Sequence, residues 1–189
     1  MRKFLSLILA LCLVFSFAAF AQEPADEPIT FEGPYVVTSA GQSADYKMVS
    51  TMLKMNKVEN YTEEALLSPD NIPADVKTII IVIGGSSKGL GAAGIDAEQE
   101  LARIEKLIAY AQEKEIVILA MHIGGMARRG DLSDKFIEPV VAVSKACLVV
   151  EDANTSDQLF DTLSEKYEVP MTYFAKKSDG AKVLAEILK

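Results

Sequence analysis

The run Thr78-Ile79-Ile80-Ile81-Val82-Ile83 constrains this chain more than any other segment. Every residue in it is β-branched, which stiffens χ1 and favours extended backbone. A strand with one wet face would alternate apolar and polar residues. This one is apolar on both faces, as a central strand of a helix-covered parallel sheet must be. Four further apolar runs read as strands, at Tyr35–Ser39, Ile116–His122, Cys147–Glu151 and Met171–Phe174, with a weaker one at Val58–Tyr61.

Helical patterns fill the gaps. About Ala44–Asn56 places Val49, Met52, Leu53 and Asn56 at helical spacing, with Ser43 as N-cap. Met48, Met52 and Met55 read there as core filler. Asp96 followed by Gln99 has capping-box spacing, and Leu101, Ile104, Leu107, Ile108 and Ala111 then share one face. Ser133–Ala146 reads as a helix that Pro139 kinks or delays. Thr155–Tyr167 reads as a helix capped by Thr155, and Ser178–Leu188 as the last. Thr62–Ala74 reads as a short helix and a loop.

Strands alternating with helices predict an α/β domain, a three-layer α/β/α sandwich with a mostly parallel sheet of five or six strands. Right-handed crossovers leave few topologies. The flavodoxin-like order 2-1-3-4-5, with room for a sixth strand, is favoured, and a Rossmann-like order is the alternative. The domain spans 34–189, behind an acidic, proline-containing lead-in over 22–33.

Before the lead-in comes an expected address. Arg2 and Lys3 precede an uncharged run from Phe4 to Phe20, and Ala19-Phe20-Ala21 offers small residues at a cleavage site. This predicts a signal peptide over 1–21, an exported product (periplasmic or extracellular), and no membrane span after cleavage. Cleavage removes two positive charges, taking the net charge from −8 to −10. So acidic a chain is a poor candidate for nucleic acid. Beyond residue 21 only Cys147 remains, in an apolar run, so it reads as a buried inert thiol. One histidine and no spaced cysteines leave no metal site to propose, and no cofactor is expected.

In such a sheet, ligands bind outside the carboxyl ends of the strands, near the point where strand order reverses. The loops due there have suggestive chemistry. Ser39, Gly41, Gln42 and Ser43 follow the first strand. Gly84 to Ile95 follows TIIIVI with five glycines, and reads as a loop far longer than the usual two to six or so residues. Within it Gly84, Gly85, Ser86, Ser87 and Lys88 are candidate ligand contacts, with backbone N–H groups of Gly84–Gly91 holding anionic oxygens. His122, Gly124, Gly125, Arg128 and Arg129 follow the next strand, and Asp152 and Asn154 the one after. Lys88 and one of the two arginines would supply positive charge locally.

Three other patterns carry less. GGSSKGLG with Tyr173-x-x-x-Lys177 resembles the glycine turn and catalytic pair of short-chain dehydrogenases, but the turn follows the wrong strand and no acidic ribose ligand ends the next one. Arg129-Gly130-Asp131 is a common chance tripeptide. Ser43 or Ser86 with His122 and Asp152 could compose a triad, yet no serine sits in a GxSxG elbow.

VVTSAGQSADYKMV, IGGSSKGLGAAGID and HIGGMARRG together resemble an uncharacterised family of exported bacterial proteins. The resemblance covers nearly the whole chain after the leader and implies one secreted α/β domain, without catalytic residues to carry over. The expected function is therefore binding of a small polar or anionic molecule. The alternatives are a hydrolase or transferase with His122 as the candidate catalytic acid or base, and a protein-interaction domain.

Overall fold

A computed structural model describes residues 28–189; the expected signal peptide and the first half of the lead-in lie outside the described residues. Six strands form one parallel sheet: β1 (Tyr35–Ala40), β2 (Tyr61–Glu63), β3 (Thr78–Ile83), β4 (Val117–His122), β5 (Ala146–Val150) and β6 (Met171–Phe174). Their spatial order is β2-β1-β3-β4-β5-β6, the flavodoxin-like order with a sixth strand added. The registers Tyr35↔Thr78 and Thr78↔Val117 align the amino ends of the three central strands.

Each strand after β3 is laid down one place further along the sheet, and a right-handed crossover puts the intervening helices on one face. These are α3 (Ala97–Glu113), α5 (Ile137–Val141) and α6 (Leu159–Tyr167), packed side by side. The step from β1 to β2 runs the opposite way, so α1 (Asp45–Met55) covers the other face, joined by α7 (Gly180–Ile187). The TIIIVI strand is buried at all six positions, as its composition requires. Burying each such isoleucine contributes about 1.5–3 kcal/mol.

Phe31 and the C-terminal residues meet beneath β1. Phe31 is buried and forms a bridge with Leu188, and the Tyr35 hydroxyl donates to the Phe31 carbonyl at 2.9 Å. Phe31, placed by sequence in a flexible lead-in, therefore belongs to the core.

One local expectation holds and several others are corrected. The capping box at Asp96 and Gln99 is present in full. The expected helix over Ser133–Ala146 is two short ones, α4 (Asp131–Asp134) and α5, with Pro139 in the first turn of α5, where its missing N–H costs nothing. α6 starts at Leu159 rather than Thr155; Asn154 Oδ1 accepts from the Phe160 N–H at 2.8 Å. The 64–77 connection contains no helix, because Arg103 and Gln42 take the Leu67 and Ala65 carbonyls into side-chain hydrogen bonds. Of the three α1 methionines only Met52 is buried; Met48 and Met55 are exposed.

Candidate functional site

Strand order reverses between β1 and β3, and the loops that leave their carboxyl ends are stitched together. The Gly84 N–H donates to the Ala40 carbonyl at 2.9 Å, the Ser43 N–H to the Gly84 carbonyl at 3.1 Å, and the Ser86 N–H to the Gly41 carbonyl at 2.8 Å. Gln42 and Gly85 form an antiparallel bridge across the gap. The switch point is thus a platform, and a ligand would rest on it rather than slot between the strands.

The expected long glycine loop is mostly helix. Ser86 caps α2 (Ser87–Ala93), its hydroxyl oxygen accepting from the Gly89 N–H at 3.0 Å. Gly89 is there for close approach: a Cβ would stand 1.9 Å from the Gln42 carbonyl oxygen. The backbone donors expected to cradle an anion are largely committed within the fold. Besides those above, the Gly85 N–H donates to Ser133 Oγ at 2.9 Å and the Leu90 N–H to the Ser86 carbonyl at 2.8 Å. Ser87 and Lys88 remain exposed at the start of α2.

Beneath the β1 loop lies a buried polar network that sequence reading missed. Glu100, on the first turn of α3, is fully buried. Its carboxylate accepts from the Gly41 N–H at 2.9 Å, from Gln42 Nε2 at 3.0 Å, and from Arg103 Nε and Nη2 at 2.8 and 2.7 Å. Arg103 also donates to the Ser39 carbonyl at 2.6 Å. Gln42 is therefore turned toward the 64–77 connection, and Ser39 and Gly41 are structural partners of α3. The one available signal was a glutamate and an arginine at i, i+3 on a predicted helix, which resembles any surface pair.

The two arginines divide. Arg129 is nearly wholly buried and binds Asp134, Asp157 and, at 2.5 Å, the Ala153 carbonyl. Burial alone would lower its pKa, but the hydrogen bonds to Asp134 and Asp157 outweigh that and hold the guanidinium above its usual range. Arg128 lies over the platform. Its Nε is 3.3 Å from Asp45 Oδ2 on α1, its Nη1 donates to the Gly85 carbonyl at 3.3 Å, and its side chain is 34% exposed. Ser43, expected as the α1 cap, donates to Asp45 Oδ2 at 2.9 Å and so steadies Arg128's partner; the cap position itself is Ala44. Gly124 lies directly beneath Arg128, where a Cβ would collide with its side chain.

His122 is fully buried beside the Phe160 ring, whose centroid is 5.3 Å away. Nε2 lies 3.4 Å from the Gly125 carbonyl, and Nδ1 has no partner among the described residues. No Ser–His–Asp relay forms there: Ser43 and Ser86 are bonded elsewhere, and exposed Asp152 packs on Gly125. Gly125 adopts φ 65°, and a Cβ there would stand 2.5 Å from Asp152 Oδ1. Asn154 donates to the Tyr173 hydroxyl at 3.1 Å, and that hydroxyl donates to Asp161. Cys147 is buried in β5, and burial pushes its thiol pKa up, as expected for an inert group.

Burial holds the His122 imidazole below its ordinary value of 6.5. The folded chain keeps it neutral while the unfolded chain takes up a proton. Stability is therefore expected to fall as pH drops below about 6.5, by at most about 1.4 kcal/mol per pH unit. It is the sole histidine of the chain, so a melting series from about pH 7.5 to about pH 5.5 isolates it from the carboxylates. His122→Gln should flatten that slope; a flat wild-type profile would contradict the buried neutral imidazole.

A family model described as a domain of unknown function, DUF6305, matches residues 32–188. The chain belongs to the DUF6305 family. The match covers the whole sheet and both helical layers of this DUF6305 domain. A comparison with curated proteins gives no match.

Proposed function

We propose that this DUF6305 domain is an exported binding protein for a small polar or anionic molecule, held on the platform at the carboxyl ends of β1, β3 and β4. The observation that carries this reading is Arg128. It spans from Asp45 to Gly85 directly over the switch point, through two contacts of 3.3 Å each, and stays part-exposed. A guanidinium has five N–H donors, so most of its capacity is open to an incoming carboxylate or phosphate. Exposed Ser87 and Lys88, two and three residues after Gly85, add donors at the start of α2. The export element rests on Arg2, Lys3, the apolar run and Ala19-Phe20-Ala21.

The hydrolase or transferase reading has less support. Its candidate, His122, is fully buried and held neutral, without a nucleophile bonded to it among the described residues. Native mass spectrometry of the purified chain, set against its denatured mass, tests the binding reading. A retained mass lost in Arg128→Ala is the expected result. The compound, at a hundred times its dissociation constant, should then stabilise the fold by about 2.7 kcal/mol, or roughly 5–10 °C. Retention unchanged by Arg128→Ala would overturn the site. Turnover abolished by His122→Ala would favour the enzyme.

A further inference from the structure

A cleft of about 720 Å³ lies away from the platform, between α3 and the 64–77 connection, within the range of about 300–1,000 Å³ typical of small-molecule sites. Ala102, Ala109 and Tyr110 of α3 and Pro69 opposite provide an apolar floor and wall. Arg103 and Lys106, one helical turn apart, stand at one side.

The two cations differ in a useful way. Four of the five Arg103 N–H groups are bound, to Glu100, Ser39 and Leu67, which fixes the guanidinium and leaves one Nη1 hydrogen without a partner among the described residues. Lys106 is exposed and has no ion pair among the described residues. Of the polar lining, Gln99 is engaged in the capping box and Glu113 is paired with Lys114 at 2.9 Å, while Asp70 lies on the opposite wall. A fixed guanidinium donor beside an exposed ammonium, above an alanine floor, suits a carboxylate attached to a flat apolar body.

We propose that this cleft is a binding site for a small aromatic carboxylate, distinct from the platform at the switch point. Benzoate serves as the probe, and benzamide as its uncharged counterpart, in a titration of the ¹⁵N-labelled chain followed by amide shifts. Saturable shifts at Ser68, Asp70 and Ala102–Tyr110 are expected with benzoate. Lys106→Glu should weaken them about tenfold, equivalent to about 1.4 kcal/mol. Ala102→Leu, which fills the floor and leaves every charge in place, should abolish them. Absence of saturable shifts, equal response to benzamide, or indifference to both substitutions would overturn the proposal.

Discussion

Glu100→Ala is expected to destabilise the domain by about 3–5 kcal/mol, the range for removing one partner of a buried ion pair. At this size that corresponds to a fall in Tm of roughly 6–20 °C. The carboxylate is fully buried and takes four hydrogen bonds, from Gly41, Gln42 and two Arg103 nitrogens. Without it Arg103 is left with a nearly buried, uncompensated charge, and the Gly41 N–H loses its acceptor. The damage should concentrate at the β1 loop, so hydrogen exchange at the Gly41 amide is expected to accelerate beyond the global effect. A Tm change of only a degree or two would mean that the network is not the brace inferred here.

Arg129→Met is expected to cost about 2–4 kcal/mol, somewhat less than Glu100→Ala, because its ion-pair partners stay accessible to water. The lost side chain is only 4% exposed, yet its partners Asp134 and Asp157 are 33% and 51% exposed and can be rehydrated. What is lost outright is the tie among three segments: the turn at Ala153, Asp134 of α4, and Asp157 before α6. The guanidinium also stands 5.8 Å over the Phe160 ring, a cation–π contact. Arg129→Lys should recover only part of the loss, since an ammonium cannot reproduce the two-sided fork geometry. Thermal melts of both variants, with the Arg129–Asp134 double-mutant cycle, measure this directly. Full recovery by lysine would reduce Arg129 to a point charge.

Much of the candidate site was legible as location and little of it as role. Glycine-rich, serine-rich loops after β1, β3 and β4 were placed at the carboxyl edge by strand order alone. The roles were hidden because the same residue types serve ligand contact and close packing equally well. Gly89 is a glycine because the Gln42 carbonyl lies where a Cβ would be, and Gly125 because its φ of 65° strains any side chain. Adjacent Arg128 and Arg129 are indistinguishable in sequence, and only the position of Asp134 and Asp157 buries the second. Glu100 looked like one more acid on an amphipathic helix, because the loop it serves is 59 residues away in the chain.

Local interactions determine what a sequence can announce by itself. The β-branched TIIIVI run, the Asp96–Gln99 capping box and the alternation of strands with helices each depend on neighbouring residues, and so predicted the parallel sheet, its layers and its favoured order of strands. Long-range partners decided the rest. The helix-free 64–77 connection, the Phe31–Leu188 closure and the split of the two arginines rest on pairs distant in sequence. Their energies come from desolvated polar groups meeting across elements, and no window along the chain contains both halves of such a pair.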